Sequence, residues 1–73
     1  MFVFTPLFNY LSRANITIEA FSNSSGISRS TLFRMKQVHK EGKSVYYPSL
    51  DCLDQICHTL HCQPADVVKY ISS

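Results

Sequence analysis

No apolar run in the 73-residue sequence approaches the roughly 20 residues a membrane-spanning helix needs, and the start has neither the basic flank nor the cleavage site of a secretory signal. A soluble, cytoplasmic protein is expected. Cysteine is scarce and odd in number: Cys52, Cys57 and Cys62 all fall in the last third of the chain, whereas a disulfide framework uses an even set spread along it. Reduced thiols are expected. There is no internal repeat, no low-complexity stretch, no phosphate-cradling glycine-rich loop, no paired carboxylates and no serine, histidine and aspartate set. A chain this short buries only about 60% of the surface its unfolded form exposes. That leaves room for one domain over residues 1–73 and none for a deep, lidded substrate cleft. An enzyme is not expected, and no cofactor is implied.

What is present is an uneven distribution of charge. Residues 1–27 balance to zero, with Arg13 against Glu19. Residues 28–44 carry Arg29, Arg34, Lys36, Lys40 and Lys43 against Glu41, a balance of +4. Residues 45–73 carry Lys69 against Asp51, Asp54 and Asp66, a balance of −2. One central segment therefore holds a local positive field of the kind that attracts a polyanion, or else forms a solvated helix face.

Apolar residues recur mostly at three and four, the helical period, in five segments. Thr5 and Pro6 open the first helix as a hydroxyl cap and a first-position proline, with Leu7, Phe8 and Leu11 on one face, and it runs to about Ala14. Thr17 caps the second, with Glu19 in the first turn and Ile16 and Phe21 spaced as a hydrophobic staple. Gly26 supplies a left-handed stop, Ser28 caps the third helix, and Ile27 and Leu32 repeat the staple spacing. Two helices joined by a short turn containing Gly form a helix-turn-helix pattern. The third helix turns Leu32, Met35 and Val38 inward and presents a basic outer face with one aromatic, Phe33. A polar loop from Glu41 to Pro48 ends in Tyr46 and Tyr47. Ser49 caps a fourth helix whose core stripe is Leu50, Leu53, Ile56, Cys57 and Leu60. Gln63 and Pro64 open a fifth, with Asp66 in its first turn and Val67, Val68 and Ile71 on its apolar side. Met1 to Thr5 alternate in the manner of a short extended piece, for which the segment around Tyr70 and Ile71 is the candidate partner.

Cys52, Cys57, His58, His61 and Cys62 invite a test as a metal site. Cys57 and His61 lie four apart on a helix, as do His58 and Cys62, but the two pairs point in different directions. Cys57 lies within an apolar stripe, where a free thiol behaves as a small hydrophobe, so core cysteines and no metal are expected. Cys57 and His58 do not make a nucleophile and its base, because neighbours on a helix project about 100° apart.

The run Ile16-Thr17-Ile18-Glu19-Ala20-Phe21-Ser22, with Gly26-Ile27-Ser28-Arg29-Ser30-Thr31-Leu32-Phe33-Arg34 and Pro48-Ser49-Leu50-Asp51-Cys52-Leu53-Asp54-Gln55-Ile56-Cys57, resembles the small Cro and phage-repressor type of helix-turn-helix regulator, also called the xenobiotic-response-element type. The opening Phe4, Pro6, Leu7 and Phe8 and the ending Cys62-Gln63-Pro64-Ala65-Asp66-Val67-Val68 are similar to its compact stand-alone members from bacteria and mobile elements. Two positions depart from the pattern. Ile18 stands where many relatives carry a Gln that contacts the DNA backbone, and Ser22 replaces the usual Ala.

The resemblance implies an all-α, compact five-helix, lambda-repressor-like domain, often a homodimer, with the third helix lying in the major groove of double-stranded DNA. On that footing Arg29 and Ser30, at the tip of the helix, are candidates for direct base readout, with Arg34 one turn further on. Phe33 can pack on a thymine methyl, and Ser28 and Thr31 complete the DNA-facing turn. Lys36, Lys40 and Lys43 suit phosphates, as do Thr17 and the N–H groups opening the second helix. Tyr46 and Tyr47 fit either a backbone contact or a dimer contact. The dimer surface is expected at Val68, Tyr70 and Ile71 with Phe2 and Phe4, since these apolar residues exceed what one small core can hide. The expected function is a transcriptional regulator that represses by occupying a promoter. The alternative is a protein-interaction module, or an antitoxin with a protein partner as well as its own promoter.

Overall fold

A computed structural model describes residues 2–41 and 47–72, with the backbone course alone for 38–41. Along the chain it runs β1 (Phe2–Val3), α1 (Thr5–Arg13), α2 (Ile18–Ser25), α3 (Arg29–Glu41), α4 (Leu50–Leu60), a single 3-10 turn (Pro64–Asp66) and β2 (Lys69–Tyr70). The architecture is mostly helical, with four α-helices among the described residues rather than the five expected.

Helix boundaries follow local chemistry. The side chains of Thr17 and Ser49 accept hydrogen bonds from the N–H groups of Ala20 at 3.0 Å and Cys52 at 3.2 Å, capping α2 and α4. Left-handed residues stop three helices: Asn15 at φ 56°, Gly26 at φ 78° and His61 at φ 53°. After α1 and α4 the chain also closes a six-residue loop, with Ile16 N–H donating to the Leu11 carbonyl at 2.9 Å and Cys62 N–H to the Cys57 carbonyl at 3.1 Å. At the start of α1, Phe4 takes the cap position and Thr5 lies inside the first turn, which corrects the expected hydroxyl cap. Pro6 is accommodated there because the first four N–H groups of a helix have no intrahelical acceptor.

The expected fifth helix is replaced by one tight turn and a strand. Asp66 reaches back to accept the Gln63 N–H at 3.0 Å, closing the turn Pro64–Asp66. Beyond it Val67 and Val68 both donate their N–H groups back to the Pro64 carbonyl, at 3.1 and 3.0 Å, and the chain then enters β2, which finds a partner in β1. The strands pair antiparallel in the register Phe2 with Tyr70 and Val3 with Lys69. The alternation at the chain start, with its partner around Tyr70, therefore describes this region and the fifth helix does not.

A single cluster of Phe4, Leu7, Leu11, Phe21, Ile27, Leu32, Met35, Ile56 and Val67 forms the core, with Ile16, Ile18, Leu53, Cys57 and Leu60 packed against it. Both members of each staple pair thus contribute to one core. Leu50 does not join the stripe of α4 and is 82% exposed. As the first residue of α4 it precedes Leu53 by a turn, beyond the edge of the packed region.

Candidate nucleic-acid interface

The unit α2-turn-α3 is held together by serines. Ser28 Oγ accepts the Thr31 N–H at 3.3 Å and lies 2.9 Å from Thr31 Oγ1, capping α3 and tying the threonine to its first turn. Within the turn, Ser25 is 4% exposed, donates to the Phe21 carbonyl at 2.7 Å and accepts the Ile27 N–H at 3.2 Å. Ser22 Oγ adds a bond to the Ile27 carbonyl from the helix side. The departure from Ala at position 22 thus supplies an additional fastening to the turn. Gly26 meets no atom within 4 Å at the place a Cβ would take, so glycine is required there by its φ of +78° and not by space.

Ser25→Ala leaves the buried Ile27 N–H without its acceptor, and the expected cost is about 1–3 kcal/mol. Urea titration should show a lowered midpoint with an unchanged slope. A midpoint equal to wild type would mean that the turn is held by packing alone. Sequence reading missed Ser25. The available signal was a hydroxyl residue directly before a helix-ending glycine.

Helix α3 has two unlike faces. Leu32 is 0% exposed and Met35 2%, while Arg29, Ser30, Phe33, Arg34, Lys36 and Gln37 all face solvent. Arg29 and Phe33 are one turn apart on one line, and Ser30, Arg34 and Gln37 follow beside them. Helices α2 and α4 carry Glu19 and Asp51 in their first turns, but α3 has no acidic residue there. The positive end of its dipole and the Arg29 guanidinium therefore act in the same direction, with Asp51 of α4, which lines one depression with Ser28 and Thr31, as the acidic group beside that turn. Lys40 belongs to the last turns of α3 by its backbone, and its side chain lies outside the described residues. Lys43 and Tyr46 also lie outside them, as does the side chain of Val38. Thr17 sits exposed at the head of α2, with its hydroxyl oxygen engaged by the Ala20 N–H. Ile18, half-buried, packs against the core and offers no polar group.

The residues considered for a dimer surface separate into two groups. Phe4 is 5% exposed and part of the core, so this protomer does not offer it to a second copy: the chain passes from β1 into α1 at this residue, which joins the same cluster as Leu7 and Leu11. Val68 is half-buried and packs against the same core. Phe2, Tyr70 and Ile71 are 48%, 61% and 40% exposed. The rings of Phe2 and Tyr70, opposite each other in the ribbon, meet edge to face at 5.1 Å. Tyr47 adds its ring to Phe2 at 6.1 Å, which places it with the aromatic ribbon.

The cysteines are free and half-buried. Burial pushes the Cys52 thiol up. Cys62 is also raised, first by burial, then by the charge and hydrogen bond of Cys57 and by Asp66. Such thiols are less available as nucleophilic thiolates at neutral pH. The His58 and His61 rings lie 6.4 Å apart, and no group of three or more His, Cys, Asp or Glu side chains among the described residues is arranged to hold a metal ion. Nor is any described helix long and apolar enough to cross a membrane.

A family model described as the Cro/C1-type HTH DNA-binding domain matches residues 7–73. No curated protein and no solved structure matches the chain.

Proposed function

The chain belongs to the Cro/C1-type helix-turn-helix DNA-binding domain family, and we propose that it is a sequence-specific regulator of transcription that lays α3 in the major groove of its operator. One observation carries this reading: α3 commits Leu32 and Met35 to the core and leaves Arg29, Ser30, Phe33, Arg34 and Lys36 exposed to solvent around them. A helix fits the major groove, and side chains at its N-terminal end reach base edges. Arg29 and Ser30 take that position, with Arg34 a turn further in. Lys36, Lys40 and Lys43 suit phosphates as flexible point charges, and the head of α2 at Thr17 holds another. Ser28 and Thr31 fix the angle at which α3 enters.

Two copies act together in this reading, each presenting one α3 to successive major grooves about 34 Å apart. The exposed ring pair of Phe2 and Tyr70 supports it, with exposed Ile71 next in the chain, because exposed apolar surface gathered on a small domain marks an interaction site. Repression follows from occupancy of the promoter, in the cytoplasm where the DNA lies.

Selection from a pool of random duplexes, followed by salt titration of the best binder, tests the proposal. A two-fold symmetric site whose log affinity falls linearly with log salt is expected. Failure to enrich any sequence, with no binding at moderate salt, would reject operator recognition.

A further inference from the structure

Among the described side chains of α3, Phe33 is the one large apolar group that faces solvent, at 49% exposure, while Leu32 and Met35 beside it are buried. The contacts between Phe and Tyr rings among the described residues join Phe2 to Tyr47 and Phe2 to Tyr70, and do not include Phe33. Its exposed neighbours along the helix are polar or cationic: Arg29 and Ser30 before it, Arg34, Lys36 and Gln37 after it.

We propose that Phe33 is a specificity-determining residue that reads the 5-methyl group of a thymine in the operator. This rests on the DNA-binding reading above. A phenyl ring neither donates nor accepts a conventional hydrogen bond, so it can discriminate between base pairs only through an apolar atom. In the major groove the four base pairs offer acceptors, donors and one apolar group, the methyl of thymine. The cationic residues around Phe33 favour the polyanion that carries such methyl groups over an apolar protein surface.

The helix also sets the spacing. Arg29 and Phe33 are four residues apart, about 6 Å along the helix axis, and successive bases are about 3.4 Å apart. The thymine under Phe33 therefore lies within about two base steps of the guanine that Arg29 would contact. Phe33 rejects cytosine at that place because cytosine lacks the methyl and presents an amino group that the ring leaves without a partner.

The test removes the methyl and nothing else. The duplex enriched by the wild-type protein is compared with copies in which each thymine in turn is replaced by deoxyuridine, using wild-type protein, Phe33→Ala and Phe33→Leu. For wild type, one position per half-site should lose about fourfold in affinity, the amount expected for one buried methyl group. Phe33→Ala should bind the thymine and deoxyuridine duplexes equally and melt at the wild-type temperature, since the side chain is not in the core. Phe33→Leu should keep part of the preference. Wild-type binding that ignores every deoxyuridine replacement overturns this role for Phe33 and leaves operator recognition standing. So does a Phe33→Ala protein that discriminates as wild type does. If no duplex is enriched at all, both readings fall.

Discussion

Phe21→Ala is expected to lower the melting temperature by roughly 12 °C or more, or to abolish the cooperative transition. Phe21 is 1% exposed and belongs to the same cluster as Leu7, Leu32 and Ile56, so it links α2 to the helices on either side. Truncating a buried phenylalanine costs about 3–5 kcal/mol, because transfer energy is lost and a cavity is left. A domain of this length has roughly 4–11 kcal/mol in total. The variant therefore sits near the limit of folding, and its DNA affinity should fall with its helix content. Melting followed by circular dichroism checks this, with Phe33→Ala as the internal contrast: both remove a phenyl ring from the helix-turn-helix, yet only the first removes it from the core. A loss of less than about 1 kcal/mol for Phe21→Ala would mean that α2 is not packed as described.

Arg29→Ala should weaken binding to the enriched duplex at least about fivefold and flatten the preference at one base pair per half-site, since a bidentate arginine-guanine contact contributes about 1–3 kcal/mol of discrimination. Arg29→Lys separates geometry from charge. It keeps the cation, and with it most of the salt slope, but lacks the planar fork that pairs with guanine O6 and N7. Affinities at one fixed salt concentration, for the enriched duplex and for a copy altered at the guanine, give the comparison. Equal loss by Arg29→Ala on both duplexes would assign Arg29 to a phosphate, and the base-reading role would pass to Ser30 or Arg34.

The helix-turn-helix was legible because each boundary depends on one local residue type. Thr17, Gly26, Ser28 and Ser49 act over three or four residues, and the structure uses each at the place its chemistry indicates. The outer face of α3 was legible from period and residue type together, since Leu32 and Met35 are apolar residues three apart while Arg29, Ser30, Arg34 and Lys36 around them are polar or cationic. The fifth helix failed because Val67, Val68 and Ile71 are too few to distinguish a period of 3.6 from a period of two. Their conformation is decided at the other end of the chain, where Phe2 and Val3 supply a pairing partner. Leu50 failed because periodicity gives a direction but not the point at which the core ends. Phe4 and Phe2 alternate in sequence and look alike as apolar residues, yet one is 5% exposed and the other 48%, a difference set by the ribbon's attachment to α1. The roles of Ser22 and Ser25 depend on the three-dimensional path of the turn, which no spacing rule states.

The most direct measurement is a titration of the isotopically labelled protein with its enriched duplex, followed through backbone amide shifts in nuclear magnetic resonance spectra. Base reading by α3 predicts the largest changes from Ser28 to Arg34, a second set at the head of α2 from Thr17 to Ala20, and little change at the exposed ends of α1. Changes confined to the ribbon of Phe2, Tyr70 and Ile71, with Ser28 to Arg34 unmoved, would contradict it and assign nucleic-acid binding to the ribbon or to no part of α3.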